Sequence, residues 1–327
     1  MTNQAPSAAS DPSTTARNGL RIGFLGPRGT FTEQALRTQP DLAGAVLVPL
    51  PTMADVLLAT ESGDVDLGFV AIENSIEGAV NVTSDTLAFD VDVLIQREVV
   101  ISVQQHLMGL AGSRLPDIGE VISIPHATAQ ARNFLRRELP NVKTRAANST
   151  AEGAQVVADT GDPTLAAIGN ELAAELYGLV ILASDIEDHP ENQTRFVAVS
   201  PNAVPPPTGH DKTSIVVAQR ADRPGSLLAI LQEFAARSIN LTKLESRPTK
   251  KALGDYCFLL DLEGHVSDDV VADCLRALRV KHGTVKFLGS YPSVAPEGPE
   301  VRRDVDVATR EAELWLSDIR GRIGPII

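Results

Sequence analysis

The stretch Glu191–Phe196, reading ENQTRF, sets an amide pair, a hydroxyl and a guanidinium side by side and runs straight into the apolar segment FVAVS. A threonine hydroxyl with no adjacent base is a poor nucleophile. It is better suited to donating a hydrogen bond to a leaving or developing oxygen anion. Arg195 can pair with a carboxylate, often in bidentate fashion, and Asn192, Gln193 and Thr194 add hydrogen-bonding groups. The loop therefore suits a reaction that needs orientation and modest acid help, not hydrolysis by a triad or a metal. The 6 histidines are scattered without metal-ligand spacing. His126 reads as a helix cap or a solvated residue, and His189 as structural or loop-exposed. Cys257 and Cys274 form no CxxC pair and read as buried free thiols in a reducing compartment.

Four more polar turns sit where an apolar strand gives way to a turn or helix. GPRGTFTEQA (Gly26–Ala35) places Thr30 as an N-cap with Glu33 three residues on, ahead of Phe31 and a helix. AIENSIEG (Ala71–Gly78) puts Glu73, Asn74 and Ser75 at a strand end, where α/β sheets line their binding crevices. NSTAEGAQ (Asn148–Gln155) repeats the capping pattern, with Ser149 or Thr150 as the cap and Glu152 completing it. AIGN ends a further strand at Asn170. Each turn also reads as an ordinary capped helix start or polar turn. Together they point to a cleft that binds a polar or anionic small molecule, since helix N-termini offer unpaired N–H groups.

The elements that must position these residues alternate between strand and helix from Leu20 to about Ser200. LRIGFL, AVLVPL, VDLGFVAI, EVISI, VKTRAAN, LAAIGN and VILASDI read as strands, with helices such as TMADVLLATES, AVNVTSDTLAF and HATAQARNFLRREL between them. This is an α/β pattern with a largely parallel sheet. The extended run VLIQREVVISVQQHLMGL looks like a crossover between two lobes, and TRFVAVS would close the first lobe. That gives lobe 1 at about 20–98 and 186–200, and lobe 2 at about 99–185. The Pro-rich segment at 201–211 is a linker. Residues 212–292 follow the order βαββαβ, the ferredoxin-like arrangement. The first 19 residues read as a disordered tail without a secretory or transit pattern. Residues 293–327 form a C-terminal tail with an amphipathic helix carrying Leu314, Trp315 and Ile319, expected to pack on this body or on a partner subunit.

The formal charge of −13 over 327 residues argues against a nucleic-acid partner. No stretch approaches the ~20 apolar residues of a membrane span, and no membrane partner is expected. The expected location is cytoplasmic. An acidic chain that binds an anion must build a local positive site from backbone N–H groups and an Arg.

GPRGTFTEQA, IENSIEG, STAEGA, AAIGNELAAELYGL and NQTRF, in this order and spacing, resemble the prephenate dehydratase family, and DRPGSLLAILQEFAARSINLTKLESRPTK resembles its ACT regulatory domain. The resemblance covers roughly Arg21 to Pro292. It implies a two-lobed catalytic domain (residues 20–200) like the type II periplasmic binding proteins, followed by the ferredoxin-like ACT domain. It implies conversion of prephenate to phenylpyruvate with loss of CO2 and water, with no cofactor and no metal. It marks Thr194 as the catalytic residue. The substrate-binding expectation covers Thr30, Phe31, Glu73, Asn74, Ser75, Ser149, Thr150, Asn170, Asn192, Gln193, Arg195 and Phe196. It further implies feedback by L-phenylalanine, enclosed by Gly225, Ser226, Leu227 and Leu228 and, from a neighbouring subunit, by Glu245, Ser246, Arg247 and Pro248, in a homo-oligomer, dimer or tetramer.

The chain departs from the family pattern at Ser226, where Ala is usual, at Ala71, where Pro is frequent, and around His126. No chorismate mutase segment is expected before Leu20. Arogenate dehydratase, the same chemistry on the aminated substrate, and a non-catalytic amino-acid sensor are the competing readings.

Overall fold

Thr30, Thr52, Ser149 and Asn170 each follow a strand and cap the helix that comes next. The computed structural model describes residues 19–219, 223–249, 255–294, 311–312 and 314–322. The expected N-terminal tail, apart from Gly19, lies outside the described residues, as does much of the C-terminal tail. The chain sorts into two units, one of Met1–Thr83 with Val99–Val199, the other of Ser84–Glu98 with Ser200–Ile327.

The first unit holds two α/β lobes. Lobe 1 begins with β1 (Arg21–Leu25), α1 (Phe31–Arg37), β2 (Val46–Leu50), α2 (Met53–Ser62), β3 (Leu67–Asn74) and the short β4 (Gly78–Ala79). The chain then runs through α3 (Asn81–Asp85), a π-helical turn at Thr86–Asp90, and β5 (Leu94–Ser102). Lobe 2 follows as β6 (His106–Gly109), β7 (Glu120–Ser123), α4 (Pro125–Gln130), α5 (Arg132–Glu138), β8 (Lys143–Ala146), α6 (Thr150–Thr160), β9 (Leu165–Gly169), α7 (Glu171–Tyr177) and β10 (Val180–Ala183). The chain returns to lobe 1 as β11 (Gln193–Ser200).

The two sheets repeat one plan. Lobe 1 has the order β2-β1-β3-β11-β5, with β1, β2 and β3 parallel and β11 antiparallel to β3. Lobe 2 has the order β10-β6-β9-β7-β8, with β7, β8 and β9 parallel and β6 antiparallel to β9. This is the two-lobed α/β body expected from the sequence. Each lobe keeps its own apolar core: Ile22, Phe24, Phe69 and Phe196 in the first, Leu107, Val121, Leu135 and Ile168 in the second.

Local caps form where the sequence places them. Thr30 Oγ1 accepts from the Glu33 N–H at 3.3 Å and Ser149 Oγ accepts from the Glu152 N–H at 2.9 Å, so Ser149 is the cap and Thr150 the first helical residue. In both helices the reciprocal bond is displaced by one residue, because Glu33 Oε2 accepts from the Gly29 N–H at 2.7 Å and Glu152 Oε2 from the Asn148 N–H at 2.6 Å. The single helix expected over HATAQARNFLRREL is two helices with a break at Ala131. Asp188 makes the break tolerable. Its N–H donates to the Gln130 carbonyl at 2.5 Å and its carboxylate accepts from the Asn133 N–H at 3.2 Å, satisfying groups that the break frees.

In the second unit β12 (Asp211–Gln219), α8 (Ser226–Ala235), β13 (Leu241–Pro248), β14 (Tyr256–Glu263), α9 (Asp269–Lys281) and β15 (Gly283–Pro292) give the expected βαββαβ order, in an antiparallel sheet β13-β14-β12-β15. Ile215, Val217, Phe258 and Leu260 pack against Ile230, Phe234, Cys274 and Leu278 of the helices. Ser84–Glu98, read from the sequence as part of lobe 1, groups with this unit. Glu98 pairs with Lys212 at 2.9 Å, Asp85 with Arg247 at 2.8 Å, and Lys286 Nζ donates to the Leu87 carbonyl at 2.7 Å. In the C-terminal stretch the described residues 311–312 and 314–321 are helical, with Leu314, Trp315 and Ile319 exposed rather than packed on the body. No helix among the described residues is long and apolar enough to cross a membrane.

Candidate active site

The antiparallel pairing of β11 with β3 sets Thr194 opposite Asn74 and Arg195 opposite Glu73. The two polar stretches of the sequence, ENS and NQTR, therefore meet at one sheet end. Asn74 is held first by its own turn: Asn74 Oδ1 accepts from the N–H groups of Ile76 at 3.0 Å and Glu77 at 3.1 Å. This fixes the amide, so Asn74 Nδ2 must point the other way, where it donates to Asn192 Oδ1 and to Thr194 Oγ1, each at 2.9 Å. Asn192, buried at 1 % exposure, also accepts from Ser75 Oγ at 3.3 Å. Ser75 Oγ in turn accepts from the Gln193 N–H at 2.9 Å.

Lobe 2 closes this cluster through α4. Asn192 Nδ2 donates to Gln130 Oε1 at 3.3 Å. Gln130 Nε2 lies 2.5 Å from His126 Nε2, and His126 Nδ1 lies 3.0 Å from Glu77 Oε1 on the turn after Ser75. Gln130, His126 and Glu77 were not marked as site residues in the sequence. The i, i+4 spacing of His126 and Gln130, which puts both on one helix face, was the available signal.

A second part of the lobe seam gathers the helix starts. Gly29 sits at φ +86°, and a Cβ there would lie 3.2 Å from the Ala173 Cα of α7. Tyr177 Oη donates to the Arg28 carbonyl at 2.9 Å. Asn170 caps α7 through Oδ1, which accepts from the Ala173 N–H at 2.8 Å, while its Nδ2 is buried without a partner. A Cβ on neighbouring Gly169 would lie 3.5 Å from the Thr150 Cβ, which brings the start of α6 beside Asn170. An unsatisfied buried donor is costly in isolation and is the kind of group a bound carboxylate would satisfy.

The other expected residues are placed as follows. Thr30 has its hydroxyl spent on the Leu25 carbonyl at 3.0 Å and on its cap, and Phe31 packs against the lobe 1 core. Ser149 Oγ accepts the cap bond from the Glu152 N–H at 2.9 Å. Arg195 pairs with Glu73 at 3.4 Å, with its side chain 11 % exposed. Phe196 is a core residue whose ring stacks on Phe69 at 5.5 Å. Glu33 stays ionised below its ordinary range: burial pushes it up, and the Gly29 N–H with Arg37 and Arg28 outweighs that. Among the described residues no cluster of His, Cys, Asp and Glu has the makings of a metal site.

In the second unit, Gly225, Ser226, Leu227, Leu228 and Ser246 line one cavity of about 470 Å³ together with Leu231, Tyr256 and Phe258. Glu245 and Arg247 alternate with Ser246 along β13 and pair instead with Lys243 and Asp85 respectively. Pro248 is exposed at the strand end.

Comparison with known proteins gives a consistent result. Residues 22–204 match the family model "Prephenate dehydratase" and residues 213–280 match "ACT domain". The chain is 42% identical over 288 residues to a prephenate dehydratase of Mycolicibacterium vanbaalenii, covering 83% of this chain and 91% of that protein. It superposes on the prephenate dehydratase of Arthrobacter aurescens in complex with L-Phe with a TM-score of 0.84 and 39% identity, over 92% of this chain and 100% of that one. It also superposes on GqqA, described as a novel type of quorum quenching acylase, with a TM-score of 0.76 and 30% identity, over 84% of this chain and 98% of that one.

Proposed function

The chain belongs to the prephenate dehydratase family, and from that premise we propose that it converts prephenate to phenylpyruvate as a carbon–oxygen lyase. Prephenate is a non-aromatic ring that carries a hydroxyl, a carboxylate and a pyruvyl side chain. Loss of CO2 supplies the electron pair that aromatises the ring as the hydroxyl leaves, and one proton completes the departing water. The driving force lies in the substrate, so the protein has to hold a dianion in the reactive conformer and assist the leaving oxygen.

One contact carries this reading. Thr194 Oγ1 accepts a hydrogen bond from Asn74 Nδ2. Its lone pair is thereby engaged, and its own proton is left to donate to the leaving oxygen, the position where charge develops. The same contact disfavours acyl transfer of the kind named for GqqA, because a nucleophilic hydroxyl needs a base beside it and Thr194 has a donor. The substrate carboxylates fall to donors not already spent: Asn170 Nδ2 and the first N–H groups of α6.

The cavity of the second unit sets apolar walls from Leu227, Leu228, Tyr256 and Phe258 beside the hydroxyls of Ser226 and Ser246. This suits an aromatic zwitterion, and L-phenylalanine is the effector we assign to it. Feedback then requires that the effector bind one global state better than another. We place the enzyme in the cytoplasm as a homo-oligomer.

The test is to supply purified protein with prephenate and, separately, with arogenate, and to follow phenylpyruvate and phenylalanine with and without added L-phenylalanine. Prephenate turnover suppressed by L-phenylalanine supports both assignments. Turnover of arogenate alone would replace the substrate, and binding of prephenate without product would make the chain a sensor.

A further inference from the structure

Among the polar groups around Thr194, one hydrogen-bonded circuit is left unexplained by binding and leaving-group assistance alone. It runs Asn74, Asn192, Gln130, His126, Glu77, and returns to Asn74 through the Glu77 N–H. Its direction is determined. Two backbone N–H groups fix Asn74 Oδ1, so Asn74 Nδ2 is the donor toward Asn192. Asn192 Oδ1 is thus an acceptor, and Asn192 Nδ2 donates to Gln130 Oε1. Gln130 is left with Nε2 facing the imidazole, so His126 Nε2 must accept. The ring proton is then on Nδ1, where it donates to the Glu77 carboxylate.

Resting on the reading of Thr194 above, we propose that His126, in its neutral Nδ1–H form, is a positioning residue: its acceptor nitrogen keeps the amides of Gln130 and Asn192 turned so that an acceptor, not a donor, faces the fixed Asn74 Nδ2, which leaves that amide aligned on Thr194 Oγ1 and the Thr194 proton free for the leaving oxygen. His126 and Gln130 lie on α4 of lobe 2, while Asn74 and Glu77 lie on lobe 1. The circuit therefore closes only when the lobes are together, which ties the hydroxyl's alignment to that arrangement.

Protonating the imidazole reverses one contact. His126 Nε2 then carries a proton and faces Gln130 Nε2, donor against donor at 2.5 Å. Turning the Gln130 amide relieves this, but its nitrogen then meets Asn192 Nδ2. Turning Asn192 carries the mismatch to Asn74, which its two backbone bonds prevent from turning. The strain ends at the group that holds Thr194. The charged and titratable groups facing this region are Glu77 from the β3–β4 turn and Asp188 and His189 from the stretch before β11. Asp188 is engaged with Asn133, and His189 with Glu191 at 3.2 Å. From β3 and β11, Glu73 and Arg195 face one another.

The experiment measures kcat and KM for prephenate with the full chain over a pH series, alongside thermal melts. The variants are His126→Leu, which removes the acceptor, His126→Gln, which offers an amide oxygen that does not titrate, Gln130→Met, and the double variant H126L/Q130M. The wild type should lose kcat on the acid side with little change in KM. His126→Leu should lower kcat roughly 10- to 100-fold, the scale of a misplaced catalytic group, and remove the acid limb. His126→Gln should recover part of kcat without an acid limb. The double variant should cost no more than the larger single effect, since both act through one circuit. His126→Leu with wild-type kcat and acid limb would overturn the proposal, as would full additivity with Gln130→Met or a loss seen only in the melting temperature. If His126→Leu fails to fold, the flat acid limb of His126→Gln decides: an acid limb like the wild type's overturns it. Failure of the underlying reading looks different: wild type that does not turn over prephenate, or Thr194→Val that does so at the wild-type rate.

Discussion

At the lobe seam, Asn74, Asn192 and Gln130 are neutral amides held by directional bonds of 2.9–3.3 Å. On the sheet of the second unit, the groups that hold Ser84–Glu98 are charges: Lys212 with Glu98, side chains 9 % and 0 % exposed, and Arg247 with Asp85. Amides carry a donor at one end and an acceptor at the other, so a chain of them fixes which way a hydroxyl points without adding charge beside an anionic substrate. Ion pairs carry no such direction along a chain. Once buried they strongly resist losing one partner, which suits a segment that must stay attached.

The comparison is most easily broken at Glu98. Glu98→Gln leaves Lys212 buried without its carboxylate and should cost about 3–5 kcal/mol of stability, read as a lower midpoint in urea. A change within experimental scatter would mean the pair is not what holds the segment. Asp85→Asn keeps the shape and removes the charge facing Arg247. A loss of about 1.5–3 kcal/mol is expected for a charge-assisted bond.

A smaller effect concerns acid. Lys281, then His282 and Arg237, hold Glu233 down from 4.5 to about 2. Its folded pKa lies below its unfolded value, so the stabilisation is fully present above about 4.5 and is lost as pH falls toward about 2. The stability gap between wild type and Glu233→Gln should therefore narrow on acidification through that window. A gap that is constant with pH would contradict the assignment. The smallest effect is at the cysteines. Burial pushes Cys274 up to about 12 and also raises Cys257, so neither should react with a thiol reagent in the folded protein, and both should after unfolding.

These contrasts also mark what was legible in the sequence. The caps at Thr30, Ser149 and Asn170 depend on residues three positions away and were readable from local pattern. The βαββαβ order was readable because period and punctuation are local. The break at Ala131 was not, because the group that stabilises it, Asp188, bonds Asn133 from 55 positions away. The attachment of Ser84–Glu98 rests on pairs such as Arg247–Asp85, 162 positions apart, and no periodicity announces that. ENQTRF and IENSIEG are recognisable as chemistry, but the protein partners of Arg195 and Phe196 are not legible in the motif. The structure pairs the first with Glu73 and stacks the second on Phe69. No local pattern marks Gln130 or Glu77, because an amide and a carboxylate gain a role here only through partners on the opposite lobe.

The most direct measurement is kcat for prephenate in Thr194→Val and Thr194→Ser beside the wild type. If the hydroxyl donates to the leaving oxygen, Val should lower kcat by about 10²–10³ with KM nearly unchanged, the loss typical of removing one such donor, and Ser should keep most of the activity. A valine variant within a few-fold of wild type would contradict the account.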